Sequence, residues 1–108
     1  MKRVGMQVLA TVTAIAVVFI LSLSAHAQNA ETLYKSKCAG CHGPDGTGTA
    51  TGKKMGTQDF TTPEVQNMSD TELAGAITNG KNKMPKYGAS LKPDDIKGLV
   101  AYIRTFKK

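Results

Sequence analysis

The chain predicts an all-α domain on three observations. Apolar residues recur at i, i+3 and i+4 in three segments, those segments are flanked by helix caps or stops, and nothing after residue 27 alternates convincingly as a strand would. Each element can be taken in order along the chain.

Met1, Lys2 and Arg3 lead into an apolar run from Val8 to Leu23, interrupted by Thr11, Thr13 and Ser22, and Ala25-His26-Ala27 follows. A short basic start, an apolar stretch and a small-x-small site are the three parts of a secretory leader. Cleavage after Ala27 is expected, leaving residues 28–108 as one exported domain of the periplasm. If the leader were kept it would tether the domain, since the run approaches the roughly 20 residues that span a bilayer. A domain this small stabilises itself only weakly through its core and calls for a staple.

The first helix of that domain is predicted from Ala30, Leu33, Tyr34, Cys38, Cys41 and His42, which fall on one helical face, with Asn29 as cap. Gly43, Pro44, Asp45, Gly46 and Gly48 end it. From Thr47 to Pro63 no period is visible, only a loop rich in glycine and threonine that holds Met55 and Phe60. Ser69-Asp70-Thr71-Glu72 reads as a capping box for a short helix through Leu73, Ala76 and Ile77, stopped by Asn79-Gly80. A second loop carries Met84-Pro85. Pro93 then opens a last helix with Asp94 and Asp95 in its first turn, Ile96, Leu99, Val100, Ile103 and Phe106 as its buried stripe, and Arg104, Lys107 and Lys108 at the end the dipole favours for cations.

The whole chain has a formal charge of +6, two units of which belong to Lys2 and Arg3. Scattered lysines and few aromatics exclude a nucleic-acid interface, which would show a denser basic stripe. Both cysteines, Cys38 and Cys41, lie in the stretch CAGCHGPDGTG, together with the only histidine beyond the leader, His42. A disulfide between them would close too small a loop to act as a staple. On a helix, i, i+3 and i+4 share a face, so two thiols one turn apart can add across the two vinyl groups of a haem while the adjacent imidazole reaches the iron. C-x-x-C-H is the signature of that attachment. Structural zinc usually takes four ligands and this cluster offers three; a dithiol oxidoreductase is expected beside a βαβ pattern, and none is visible.

Cys38-Ala39-Gly40-Cys41-His42-Gly43-Pro44-Asp45-Gly46 resembles the haem-binding segment of the class I c-type cytochromes, nearest the small soluble bacterial and algal carriers. Ala30 and Tyr34 stand where that family packs a small residue and an aromatic on its last helix, and Leu99-Val100-Ala101-Tyr102-Ile103 resembles its C-terminal segment. The resemblance implies a fold of three to four helices around one covalently attached haem c, with Cys38 and Cys41 as thioethers and His42 as one axial iron ligand. It implies a methionine as the other, for which Met84 fits better than Met55 or Met68. Leu33, Tyr34, Leu73, Ile77, Tyr87, Leu91, Leu99 and Ile103 are expected as haem-side or interhelix contacts. The loop from Thr47 to Pro63 matches nothing in the family pattern.

A thioether opposite an imidazole favours reduced iron and fills the coordination sphere, which suits single-electron transfer. The expected function is therefore a monomeric one-electron carrier between larger redox proteins, not an enzyme. Lys81, Lys83 and Lys86 around Met84, with Lys53 and Lys54 in the other long loop, would steer it to acidic partners; equally, they could simply solvate loops. The alternatives are a haem domain with a labile sixth position that binds or senses small molecules, and a cofactor-free dithiol protein.

Overall fold

The structure, a computed structural model, describes residues 29–108; the expected leader lies outside them. Five helices are found among the described residues: α1 (29–42), α2 (Ala50–Lys54), α3 (Pro63–Gln66), α4 (Asp70–Asn79) and α5 (Pro93–Arg104). No strand is assigned among them, only an isolated bridge between Lys81 and Met84. The all-α class holds, with one or two more helices than the three or four expected.

The core forms where α1, α4 and α5 turn their apolar stripes inward. Tyr34, Leu73, Ile77, Ile96, Leu99, Val100 and Ile103 are buried, joined by Val65 from α3 and by Phe60 and Leu91 from the connections. Burying each such aliphatic or aromatic side chain is worth about 1.5–3 kcal/mol. Helix α1 crosses α5 closely enough that a Cβ on Gly98 would lie 3.3 Å from that of Ala30. One turn on, the Tyr34 ring packs at 4.9 Å from Tyr102 and 5.3 Å from Phe106. The expected seating of Ala30 and Tyr34 on the last helix is thus observed.

Capping follows the sequence in α4 and α5. Ser69 Oγ accepts from the Glu72 N–H at 3.1 Å, and Asp95 accepts from the Lys92 N–H at 3.1 Å with Pro93 in the first turn. Gly80 ends α4 at φ +74°, where a Cβ would also run into the Met84 carbonyl. Arg104 does more than face a helix dipole. Its guanidinium donates to Gln66 O (2.9 Å), Met68 O (2.6 Å) and Asp70 Oδ1 (2.8 Å), locking the end of α5 onto the α3–α4 junction.

Two local readings need correction. Asn29 lies within the helix, and its side-chain amide donates to Asp95 Oδ1 at 2.9 Å. Helix α1 is also not α-helical throughout: Tyr34–Cys38 form a π-turn, in which the Ala39 N–H reaches back to Tyr34 O, before α-geometry resumes over Ala39–His42. One inserted residue rotates all that follows by roughly 100°. Cys41 is exposed, while Cys38 and His42 are half-buried.

Candidate haem site

A helix end leaves its last carbonyls without intrahelical donors, and here those carbonyls belong to the C-x-x-C-H turn itself. Each is met. Ala39 O accepts from the Gly43 N–H (2.9 Å), Gly40 O from the Thr49 hydroxyl (2.9 Å), Cys41 O from the Thr49 N–H (2.9 Å), and His42 O from the Gly48 N–H (2.7 Å). Gly43 O accepts from the buried Tyr34 hydroxyl at 2.6 Å, a bond that joins the first turn of the π-segment to the end of the helix. The segment from Gly43 to Phe60 is a strap around the motif, and the loop the sequence left without a role supplies most of it.

The strap closes tightly because of what it contains. Thr49 also caps α2, accepting from the Gly52 N–H at 3.0 Å. Gly52 lies so near the motif that any Cβ would overlap the Cys41 carbonyl. Only glycine fits there. Further on, the Phe60 N–H donates to Gly46 O at 2.9 Å, and its buried ring stacks on His42 with centroids 4.3 Å apart and 16° between planes. Thr49, Gly52 and the Phe60 stacking were not found by sequence reasoning; a threonine three residues before Gly52 is the one local signal that could have shown a cap.

The donor set fits a covalent haem. Cys38 and Cys41 are unbridged, and burial pushes the Cys38 thiol up to about 11 against a smaller opposing pull from Lys37, so it is held as the neutral thiol. Burial lowers the His42 pKa, favouring the neutral imidazole that binds metals, and its Nδ1 is buried with no hydrogen-bond partner. Among the described residues no three His, Cys, Asp or Glu side chains gather to hold a bare metal ion, as zinc would need.

Met84 lies in the loop between α4 and α5, half-buried and packed against the core. Its N–H donates to Lys81 O at 2.9 Å, Asn82 between them takes φ +54°, and the chain after it returns to α4 through Tyr87 N–H to Ile77 O (2.9 Å) and Gly88 N–H to Thr78 O (3.1 Å). Met68 is likewise partly buried, whereas Met55 is 40% exposed. Of the expected site residues, the structure brings Cys38, Cys41 and His42 onto one turn and places Met84 in a separate, anchored loop.

A small helical domain built around a strapped C-x-x-C-H turn defines a c-type cytochrome. The chain belongs to the cytochrome family whose model is described as cytochrome c oxidase, cbb3-type, subunit III, which matches residues 25–103. It is 32% identical to cytochrome c6 of Anabaena variabilis over 69% of this chain and 85% of that one, and 30% identical to cytochrome c6 of a Nostoc strain over 76% and 72%. The solved c-type cytochrome KustC0563 superposes with a TM-score of 0.69 at 35% identity, covering 72% of this chain and 96% of its own. The chain is accordingly a class I monohaem cytochrome, an electron carrier and not an enzyme, whose cofactor is covalently attached haem c with its iron.

Proposed function

We propose that residues 1–27 are an export leader cleaved after Ala27, and that residues 28–108 work as a soluble monomeric carrier in the periplasm. Cys38 and Cys41 would hold the haem by thioether bonds, and His42 and Met84 would ligate its iron. Bound there, the haem supplies a one-electron iron couple. The protein's part is to keep both iron-binding side chains in place: the strap fixes the His42 turn, and the ties to Ile77 and Thr78 fix the chain beyond Met84. The observation that carries this reading is that the Ala39, Gly40, Cys41 and His42 carbonyls are each hydrogen-bonded, which holds the turn and leaves its side chains free for the cofactor. No helix among the described residues is long and apolar enough to cross a membrane.

Lys81, Lys83 and Lys86 around Met84 are all exposed, as are Lys53 and Lys54 in α2. A basic rim of this kind speeds encounter with acidic redox partners and keeps complexes brief. Neutralising Lys81, Lys83 and Lys86 should slow electron delivery and flatten its salt dependence; unchanged rates at low salt would refute the docking role.

The test of the whole reading is the visible spectrum of the exported protein, oxidised and reduced, the latter with carbon monoxide. Sharp reduced bands insensitive to carbon monoxide, with a weak far-red methionine-to-iron band in the oxidised form that Met84→Ala abolishes, are expected. A carbon monoxide shift in the unmutated protein would instead put the small-molecule-binding alternative first. The mass of the exported protein tests cleavage, which predicts a start at Gln28.

A further inference from the structure

The π-turn in α1 has a bookkeeping consequence for the backbone. The Ala39 N–H bonds back five residues to Tyr34 O, and the Gly43 N–H bonds back four to Ala39 O. Between those two bonds lie three donors, the N–H groups of residues 40, 41 and 42, but four acceptors, the carbonyls of residues 35, 36, 37 and 38. One carbonyl is therefore passed over by the helix ladder and needs a partner from elsewhere. The Tyr87 hydroxyl, from the loop that carries Met84, donates to Lys37 O at 3.3 Å, across 50 residues of sequence.

We infer that Tyr87 is a positioning residue: its exposed hydroxyl bonds the Lys37 carbonyl, one of the four among which the π-turn leaves one without a helical donor, and latches the Met84 segment to the turn that precedes Cys38. The rest of the loop's ties support this division of labour. Tyr87 N–H and Gly88 N–H hold the chain to α4, behind the site, whereas the Tyr87 hydroxyl reaches the helix that presents the cysteines and His42. The ring is partly buried against the core, so the hydroxyl is aimed by packing. Burial raises its pKa, and it stays a donor. Met84 is three residues away along a chain that includes Pro85, too short and stiff a link for the methionine to move far while the latch is closed.

This inference rests on Met84 being an iron ligand, and the test separates the two ideas. In the oxidised holoprotein, free imidazole competes with the methionine, so its affinity reports how readily Met84 lets go. Losing one neutral hydrogen bond, longer than the usual hydroxyl-to-carbonyl distance, should tighten imidazole binding in Tyr87→Phe about threefold. Tyr34→Phe is the matched control: it also removes a tyrosine-to-carbonyl bond, on the cysteine side, and should lower the guanidinium midpoint while leaving imidazole affinity unchanged. Unchanged affinity in Tyr87→Phe, or equal tightening in both variants, overturns the latch. A far-red band absent from the unmutated protein, or one that survives Met84→Ala, removes the ligand assignment and the latch with it.

Discussion

The two sides of the site are held by opposite means. On the cysteine side the backbone is saturated: the last carbonyls of α1 are each bonded, a glycine is pressed against the Cys41 carbonyl, and two aromatic side chains, Tyr34 and Phe60, close the turn from either end. On the methionine side Lys81, Asn82, Lys83, Pro85 and Lys86 are exposed, and the loop is tied at its base to α4 and by one hydroxyl to α1. Changes to the strap should therefore cost folding stability, and changes to the methionine loop should cost ligation with little effect on the fold. That is the arrangement expected of a carrier: thioether bonds need a fixed frame, whereas a methionine ligand needs only to be kept near.

The largest effect should come from the thiols. Replacing Cys38 and Cys41 together by serine removes both thioether bonds, and the haem should then be extracted by acidified acetone, with no haem stain left on a denaturing gel. Retained covalent haem would overturn the attachment assignment. Next is the strap. Gly52→Val forces a side chain into the Cys41 carbonyl and should destabilise the holoprotein by about 3 kcal/mol, read as the guanidinium midpoint. If it instead shifted the far-red band at unchanged stability, the contrast between the two sides would fail.

Arg104→Ala should cost somewhat less, about 2 kcal/mol, because it strips charge-assisted bonds from Gln66 O and Met68 O at the α3–α4 junction. The accompanying ion pair with Asp70 contributes little, since that carboxylate is largely exposed. Arg104→Lys separates shape from charge. A lysine cannot reach three acceptors with a planar fork, so it should recover only a minor part of the loss.

The same contrast explains what was legible in the sequence. Helices α4 and α5 run two turns or more and carry capping residues, so period and caps identified them, down to Ser69 and Pro93. The seating of Ala30 and Tyr34 against α5 was legible too, through resemblance. Helices α2 and α3 have five and four residues, too few for a period to repeat, and Thr49 lacks the Glu or Gln that would complete a capping box. Val65, among the most deeply buried side chains, was passed over for this reason. The π-turn was invisible because it inserts a residue without a residue type that demands it. Arg104 was read as a dipole partner because two of its three acceptors are the backbone carbonyls of Gln66 and Met68, which a sequence does not display. The His42 stacking on Phe60 belongs to the same group, being a contact between segments that no local pattern links.

The smallest expected effect concerns the strap's own turns in acid. Asp45 and Asp59 each accept from the hydroxyl and the N–H of the threonine two residues on, Thr47 at 2.8 and 3.1 Å and Thr61 at 2.6 and 2.8 Å. Those bonds, the hydroxyl's first, hold both carboxyl groups below their ordinary value of 3.8. A carboxylate whose pKa is depressed by folding lends stability that is present above the unfolded value and drains away as pH falls through the folded one. The unfolding midpoint should thus begin to drop near pH 3.8 and keep dropping below it. Replacing Thr47 and Thr61 by valine removes the leading cause at both sites, so the difference in midpoint between variant and unmutated protein should shrink as pH falls through this window. A constant difference from pH 7 to pH 3 would mean that the threonines act on the strap through packing alone, and that its turns owe nothing to the charge of Asp45 and Asp59.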